Sequence, residues 1–209
     1  MRKTSFRWII PVALSAVLSG MPGARKALAQ SSDTAIGGLS PLRYTELPLG
    51  SIVPKGWLQH QLRIMKDGTT GHLDEVYEKI KNDNGWLGGK GDGWEETPYW
   101  LDGPVPLAYL LNDEPLKSKV LQYINWTLTN QRPSGYFGPI TKWERETGKK
   151  ITADNCGEGE DWWPKMVMLK VLQQYFTASN DMRVISFMSA YFKYQQQAIH
   201  SCNIGKWTE

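Results

Sequence analysis

Thr97-Pro98-Tyr99-Trp100-Leu101-Asp102-Gly103-Pro104-Val105-Pro106-Leu107-Ala108-Tyr109-Leu110-Leu111-Asn112-Asp113 reads as one helix and the turn that ends it. Thr97 suits an N-cap and Pro98 the first helical position, where a missing N–H costs nothing. The apolar pattern predicts a helix running to about Leu111. Asn112-Asp113 predicts the turn, and Leu116, Val120, Leu121, Ile124 and Leu128 share one face of a second helix that returns antiparallel. The same plan then recurs. Asp161 caps, Pro164 sits in the first turn, Met166, Leu169, Leu172 and Phe176 form the stripe, Asn180-Asp181 turns, and Val184, Ile185, Met188 and Phe192 return. The step is 66 residues from Pro98 to Pro164 and 68 from Asp113 to Asp181. Two hairpins on one plan predict an all-α fold. Because one hairpin cannot close a core alone, the chain is expected to be the front portion of a larger α/α toroid or solenoid.

Both predicted hairpins begin in the same chemistry. Gly93-Trp94-Glu95-Glu96-Thr97-Pro98-Tyr99-Trp100 precedes the first, and Gly159-Glu160-Asp161-Trp162-Trp163-Pro164-Lys165-Met166 the second. A sugar ring offers C–H faces that stack on aromatic rings, while its hydroxyls need acceptors such as Asp and Glu. Indoles and carboxylates gathered at helix entrances therefore point to a saccharide site.

Around the hairpins the chain is looser. Leu58, Leu62 and Met65 fall on one face of a short helix, with Trp57 anchoring its start. Residues 85–93 hold five glycines, which argues against a regular element and for a loop able to approach a ligand closely. A long loop covers residues 131–160, and Gly205-Lys206-Trp207-Thr208-Glu209 resembles the rim of a third unit.

Arg2, Lys3 and Arg7 precede the apolar run Trp8 to Leu18, and Ala27-Leu28-Ala29 follows, which is the pattern of a secretory signal peptide over residues 1–29, cleaved near Ala29. The run is too short to span a bilayer. The protein is expected in the periplasm or the medium, with residues 30–46 as a mobile leader and 47–209 as the folded portion. The formal charge of +3 includes five basic residues of the signal, and subtracting them leaves −2. Nucleic-acid binding thereby loses its electrostatic basis, and no membrane partner is expected. Cys156 and Cys202 are the only cysteines. One disulfide and two separate thiols are both compatible with them. The oligomeric state is left open.

Seven segments in order carry a family resemblance: Pro48-Leu49-Gly50-Ser51-Ile52-Val53-Pro54-Lys55-Gly56-Trp57-Leu58, Asp67-Gly68-Thr69-Thr70-Gly71-His72-Leu73-Asp74, Gly85-Trp86-Leu87-Gly88-Gly89, Trp94-Glu95, Tyr99-Trp100-Leu101-Asp102-Gly103, Gly135-Tyr136-Phe137-Gly138-Pro139 and Asp161-Trp162-Trp163-Pro164-Lys165-Met166-Val167-Met168-Leu169. Together, over residues 47–195, they resemble the N-terminal part of the β-L-arabinofuranosidase family of bacterial glycoside hydrolases. The resemblance implies antiparallel helical hairpins forming the first part of an incomplete (α/α)6 toroid, and an activity that releases L-arabinofuranose from plant-type glycans. It also implies a zinc-bound Cys nucleophile and a separate Glu acid/base from later hairpins. No residue here corresponds to those, so the catalytic residues are expected beyond Glu209. Zinc is then a cofactor of a longer protein, and no metal ligand or cofactor is expected in this chain.

The candidate substrate-binding residues are Trp94, Glu95, Glu96, Tyr99, Asp102, Tyr136, Phe137, Asp161, Trp162 and Trp163. Capping, solvated charge, core packing and loop anchoring are the ordinary alternatives for them. Two rival functions share the scaffold. A polysaccharide lyase needs Tyr or His with Arg or a cation beside a uronate, and the shortage of His and of rim Arg counts against it. A non-catalytic glycan-binding helical module is the other.

Overall fold

Asn112 and Asn180 both adopt the left-handed conformation, at φ 51° and φ 55°, and each ends one helix of a hairpin. Asparagine tolerates this region better than other side chains do, because its amide can bond locally. The aspartate that follows then opens the returning helix. Asp113 accepts from the Leu116 N–H at 2.9 Å, and Asp181 from the Arg183 N–H at 3.0 Å.

The computed structural model describes residues 43–91, 93–156 and 160–202. The chain divides into two compact units, Met1–Thr45 and Glu46–Glu209. Only residues 43–45 of the first are described. The expected signal peptide, nearly all of the expected leader and the expected third rim at residues 205–209 lie outside the described residues. Among the described residues all regular structure is helical: α1 (Gly56–Asp67), α2 (Thr69–Val76), α3 (Glu78–Lys81), a 3-10 turn (Gly85–Leu87), α4 (Glu96–Leu101), α5 (Pro104–Leu111), α6 (Glu114–Thr129), α7 (Lys142–Thr147), α8 (Trp162–Ser179) and α9 (Arg183–Ala198).

The first predicted helix is in fact two. Pro104 and Pro106 lack the N–H groups that would bond four residues back, and the Gly103 N–H bonds to the Trp100 carbonyl instead, so the axis breaks between α4 and α5. Thr97 does not cap the helix. Glu95 takes that position without a side-chain bond, while the buried Thr97 hydroxyl accepts from Asn84 Nδ2 at 2.7 Å.

The hairpins lie side by side. Along α4 and α5 the partners on α8 advance in step: Trp94 meets Asp161, Tyr99 meets Trp163, Asp102 meets Lys170 and Gln174, and Tyr109 meets Tyr175. The leading helices are therefore parallel. The returning helices α6 and α9 also touch, with Arg183 on Asn125 and Gln131 on the Phe187 carbonyl. Both hairpin entrances thus stand at one end. The core between them holds Leu101, Val105, Val120, Ile124, Val171 and Leu172, all fully buried.

Three other expectations change. Trp57 anchors nothing and is 80% exposed. The glycine-rich segment does form a turn, with Asn84 capping it and Trp86 fully buried beneath. Its glycines approach the chain itself, for a Cβ on Gly85 would lie 2.8 Å from the Pro139 side chain and one on Gly89 2.0 Å from the Asp83 carbonyl oxygen. The loop over 131–160 is interrupted by α7, which is opened by a reciprocal capping box between Thr141 and Glu144.

Cys156 and Cys202 form a disulfide with their Cα atoms 5.2 Å apart, which decides between the two readings left open. The bridge ties the loop before α8 to the chain just past α9. Closing a loop of 46 residues restricts the unfolded chain by about 4 kcal/mol on entropic grounds.

At the second turn, Asn180→Gly is expected to preserve stability, whereas Asn180→Val should lower it by about 1–2 kcal/mol, because a β-branched side chain is strained at positive φ. Urea unfolding of the three proteins, compared at equal m, reads the difference.

Candidate functional site

A cleft of about 550 Å³ opens where the entrances of α4 and α8 meet α7 and the glycine-rich loop. Its aromatic lining is Trp94 and Trp143, and its polar lining includes Thr141, Glu160, Asp161, Lys90, Lys142 and Arg145.

Trp94 is held from three sides. Its Nε1 donates to Asp161 Oδ2 at 2.8 Å, its ring stacks on Trp86 at 6.2 Å between centroids, and its carbonyl accepts from Trp86 Nε1 at 3.0 Å. Asp161 has a second duty. Its Oδ1 accepts from the Trp163 N–H at 3.1 Å and so caps α8. One carboxylate therefore fastens the two hairpin entrances together.

Beneath the cleft lies Lys165, with no solvent exposure. Its ammonium pairs with Glu160, donates to the Asp161 carbonyl at 3.1 Å, and faces the rings of Tyr136 at 4.4 Å and Trp94 at 5.1 Å. Burial lowers its pKa against the opposing pull of Glu160 and Asp161. Tyr194 Oη donates to the other Glu160 oxygen at 2.9 Å. Burial, followed by the charge on Glu160, pushes the hydroxyls of Tyr136, Tyr191 and Tyr194 well above the ordinary tyrosine value.

A second ion pair, between the half-buried Arg132 and the buried Glu144, supports the loop. Arg132 Nη1 meets Glu144 Oε1 at 2.7 Å, and its guanidinium lies 4.2 Å from the Tyr136 ring centre. Burial alone would raise the Glu144 carboxyl. Arg132 and the N–H groups of Ile151 and Thr141 together outweigh that and hold it below its ordinary value.

Of the ten residues singled out in the sequence, the cleft gathers Trp94 and Asp161. Tyr136 and Phe137 are sealed inside: Tyr136 lies between Arg132 and Lys165, and Phe137 packs edge-on against Phe187 and Tyr191, so neither presents a face to a ligand. Glu96 is engaged by Lys79, and Glu95 is exposed outside the cleft lining. Asp102 joins the α4–α5 break to α8 through Lys170 and Gln174, both at 2.8 Å. Tyr99 is exposed beside Trp163, away from the cleft. Trp162 and Trp163 line a different groove of about 650 Å³ between α8 and α9, together with Met166, Met188 and Phe192.

Trp143, Lys90 and Arg145 were missed by the sequence reading, and Glu160 stood in the quoted rim motif without being singled out. The Thr141-Lys142-Trp143-Glu144 capping pattern was the available signal for the short helix that carries Trp143, Lys142 and Arg145. Arg145 on the cleft also answers the apparent shortage of rim arginine. Comparison with protein-family models, curated proteins and solved structures returns no match.

Glu160→Gln leaves a buried ammonium without its counter-charge and is expected to cost about 3–5 kcal/mol, while adding Lys165→Met should recover much of that loss. A double-mutant cycle by urea unfolding measures both.

The depressed Glu144 pKa has a definite sign. The folded carboxyl ionises below the unfolded value of about 4.3, so its stabilisation is complete above about pH 5 and fades as the pH falls through the folded value. Melting temperatures at pH 6 and pH 3 should therefore fall less in Glu144→Gln than in the parent protein.

Proposed function

We propose that the cleft holds one unit of a glycan, and that the chain forms one wall of the sugar pocket in a secreted glycoside hydrolase of the arabinofuranosidase type. The carrying observation is Trp94, half-buried on the cleft and locked by Asp161 and Trp86, with Trp143 on the same lining. A ring fixed in place loses little freedom when a sugar face stacks on it. The family resemblance supplies the expected product, L-arabinofuranose. The signal pattern at the N-terminus supports an exported enzyme.

The carboxylates on the cleft suit a supporting role rather than acid/base work. Both oxygens of Asp161 accept internal bonds, and Glu160 is engaged by Lys165 and Tyr194. Among the described residues no three His, Cys, Asp or Glu side chains are grouped as a metal requires. Both cysteines are bonded to each other. In this reading the nucleophile, the acid/base and any zinc ligands belong to further hairpins.

The open groove on α8 and α9 supports such a continuation into a toroid. Counting from one Asn-Asp turn to the other, Met188, Tyr191, Phe192 and Gln195 correspond to Val120, Tyr123, Ile124 and Thr127, and Leu169 and Gln173 to Leu101 and Val105. Every one of the first-hairpin residues is buried, whereas Phe192 is 49% exposed. Among the described residues the Trp162 Nε1 in the groove lining is buried without a hydrogen-bond partner. A third hairpin laid on this face would bury it as the second buries the first.

Trp94→Ala is expected to weaken binding of an arabinan oligosaccharide about tenfold, or about 1.4 kcal/mol, followed by tryptophan fluorescence. The parallel assay is hydrolysis of aryl α- and β-L-arabinofuranosides by the full-length protein. Absence of both binding and turnover would overturn the reading.

A further inference from the structure

The cleft is unevenly charged, and the unevenness names a ligand class. Lys90 comes from the glycine-rich loop, while Lys142 and Arg145 come from α7, and all three line the same cavity. Among the described residues two carboxylates stand on that lining, and both are already engaged. Glu160 is neutralised by the buried Lys165, and Asp161 caps α8 with one oxygen and holds Trp94 with the other. Glu95, exposed at the start of α4, is not part of the lining.

The cations are less engaged. Among the described residues Lys90 makes no salt bridge, since only its main-chain N–H is tied, to Asp83 Oδ2 at 3.0 Å. Arg145 donates through Nη1 to the Ile140 carbonyl at 2.7 Å and, among the described residues, makes no ion pair. Among the described residues Lys142 has one ion-pair partner, the solvent-exposed Glu146 at 3.6 Å. An exposed pair of that kind contributes little and is easily exchanged for another anion.

We propose that the cleft selects a saccharide bearing a carboxylate: a uronic acid unit whose ring stacks on Trp94 and Trp143 while its carboxylate meets Arg145 and Lys90. The planar guanidinium fork matches a carboxylate in a way that a hydroxyl does not. The chain without its signal carries a net −2, so this positive lining is a local feature and not the spill-over of a basic protein. The inference rests on the saccharide reading and narrows it: the unit held in this cleft is a uronic acid of the glycan and not the neutral arabinofuranose that is released.

The probes are a galacturonic acid trisaccharide, its methyl ester and a neutral arabinan trisaccharide, titrated into the intact protein by calorimetry at fixed low salt. The acid and its ester share ring faces and nearly all hydroxyls and differ in charge. The free acid should bind at least tenfold more tightly than the ester, and Arg145→Gln and Lys90→Gln should each narrow that gap threefold or more. Equal or tighter binding of the ester overturns the proposal and leaves the saccharide reading standing. If none of the three binds, both fall. Equal binding of a short polyglutamate peptide also overturns the proposal, because the cleft would then be a general anion site. The comparison of acid with ester needs no variant, so it holds even if a substitution unfolds the chain.

Discussion

A fully buried ammonium must gather partners around it, and in this protein that requirement organises the cleft. Lys165 sits in the first turns of α8, where its charge would be costly in apolar surroundings. Glu160 comes in to neutralise it, Tyr194 reaches from α9 to the same carboxylate, and Tyr136 and Trp94 turn ring faces toward it. Two helices, one loop and the mouth of the first hairpin are thereby fixed to a single atom. The cleft wall is the outer side of this arrangement.

The hairpins add a second constraint. Parallel leading helices place both entrances at one end, so short side chains can bridge them, as Asp161 does to Trp94. The groove on the far side of α8 and α9 presents the mirror of this logic, with Phe192 and Gln173 exposed where their first-hairpin counterparts Ile124 and Val105 are buried. Cleft and groove are thus two outcomes of one repeat: a face with a neighbour and a face without one.

What could be read from the sequence was local. Asp161 caps its helix as its position suggested, and both Asn-Asp pairs turn, because these choices depend on residues within one helical turn. The helical class and the pairing of the four long segments follow from that. The misreadings are non-local. Tyr136 and Phe137 are loop aromatics, and of stacking and loop anchoring, both left open, the structure has the anchoring, because Phe187, Tyr191 and Tyr194 lie over them from some 50 residues away. Thr97 was recruited by Asn84 before it could cap its own helix. Lys165 left only a faint sign, a single cation inside an otherwise apolar stripe. Of the candidate site, the Trp94–Asp161 pairing was in view as two separate residues, and the cationic side of the cleft was not.

The disulfide has a bearing on the order of assembly. Cys156 leaves the ribosome 46 residues before Cys202, so the strap from the loop before α8 to the chain just past α9 can be fastened only once all of α9 has been synthesised. Until then Glu160 lacks the Tyr194 hydroxyl as well, and Lys165 has yet to be enclosed. The enclosure of Lys165, and with it the wall behind the cleft, is therefore completed only after α9 has been made, and the disulfide then holds it closed.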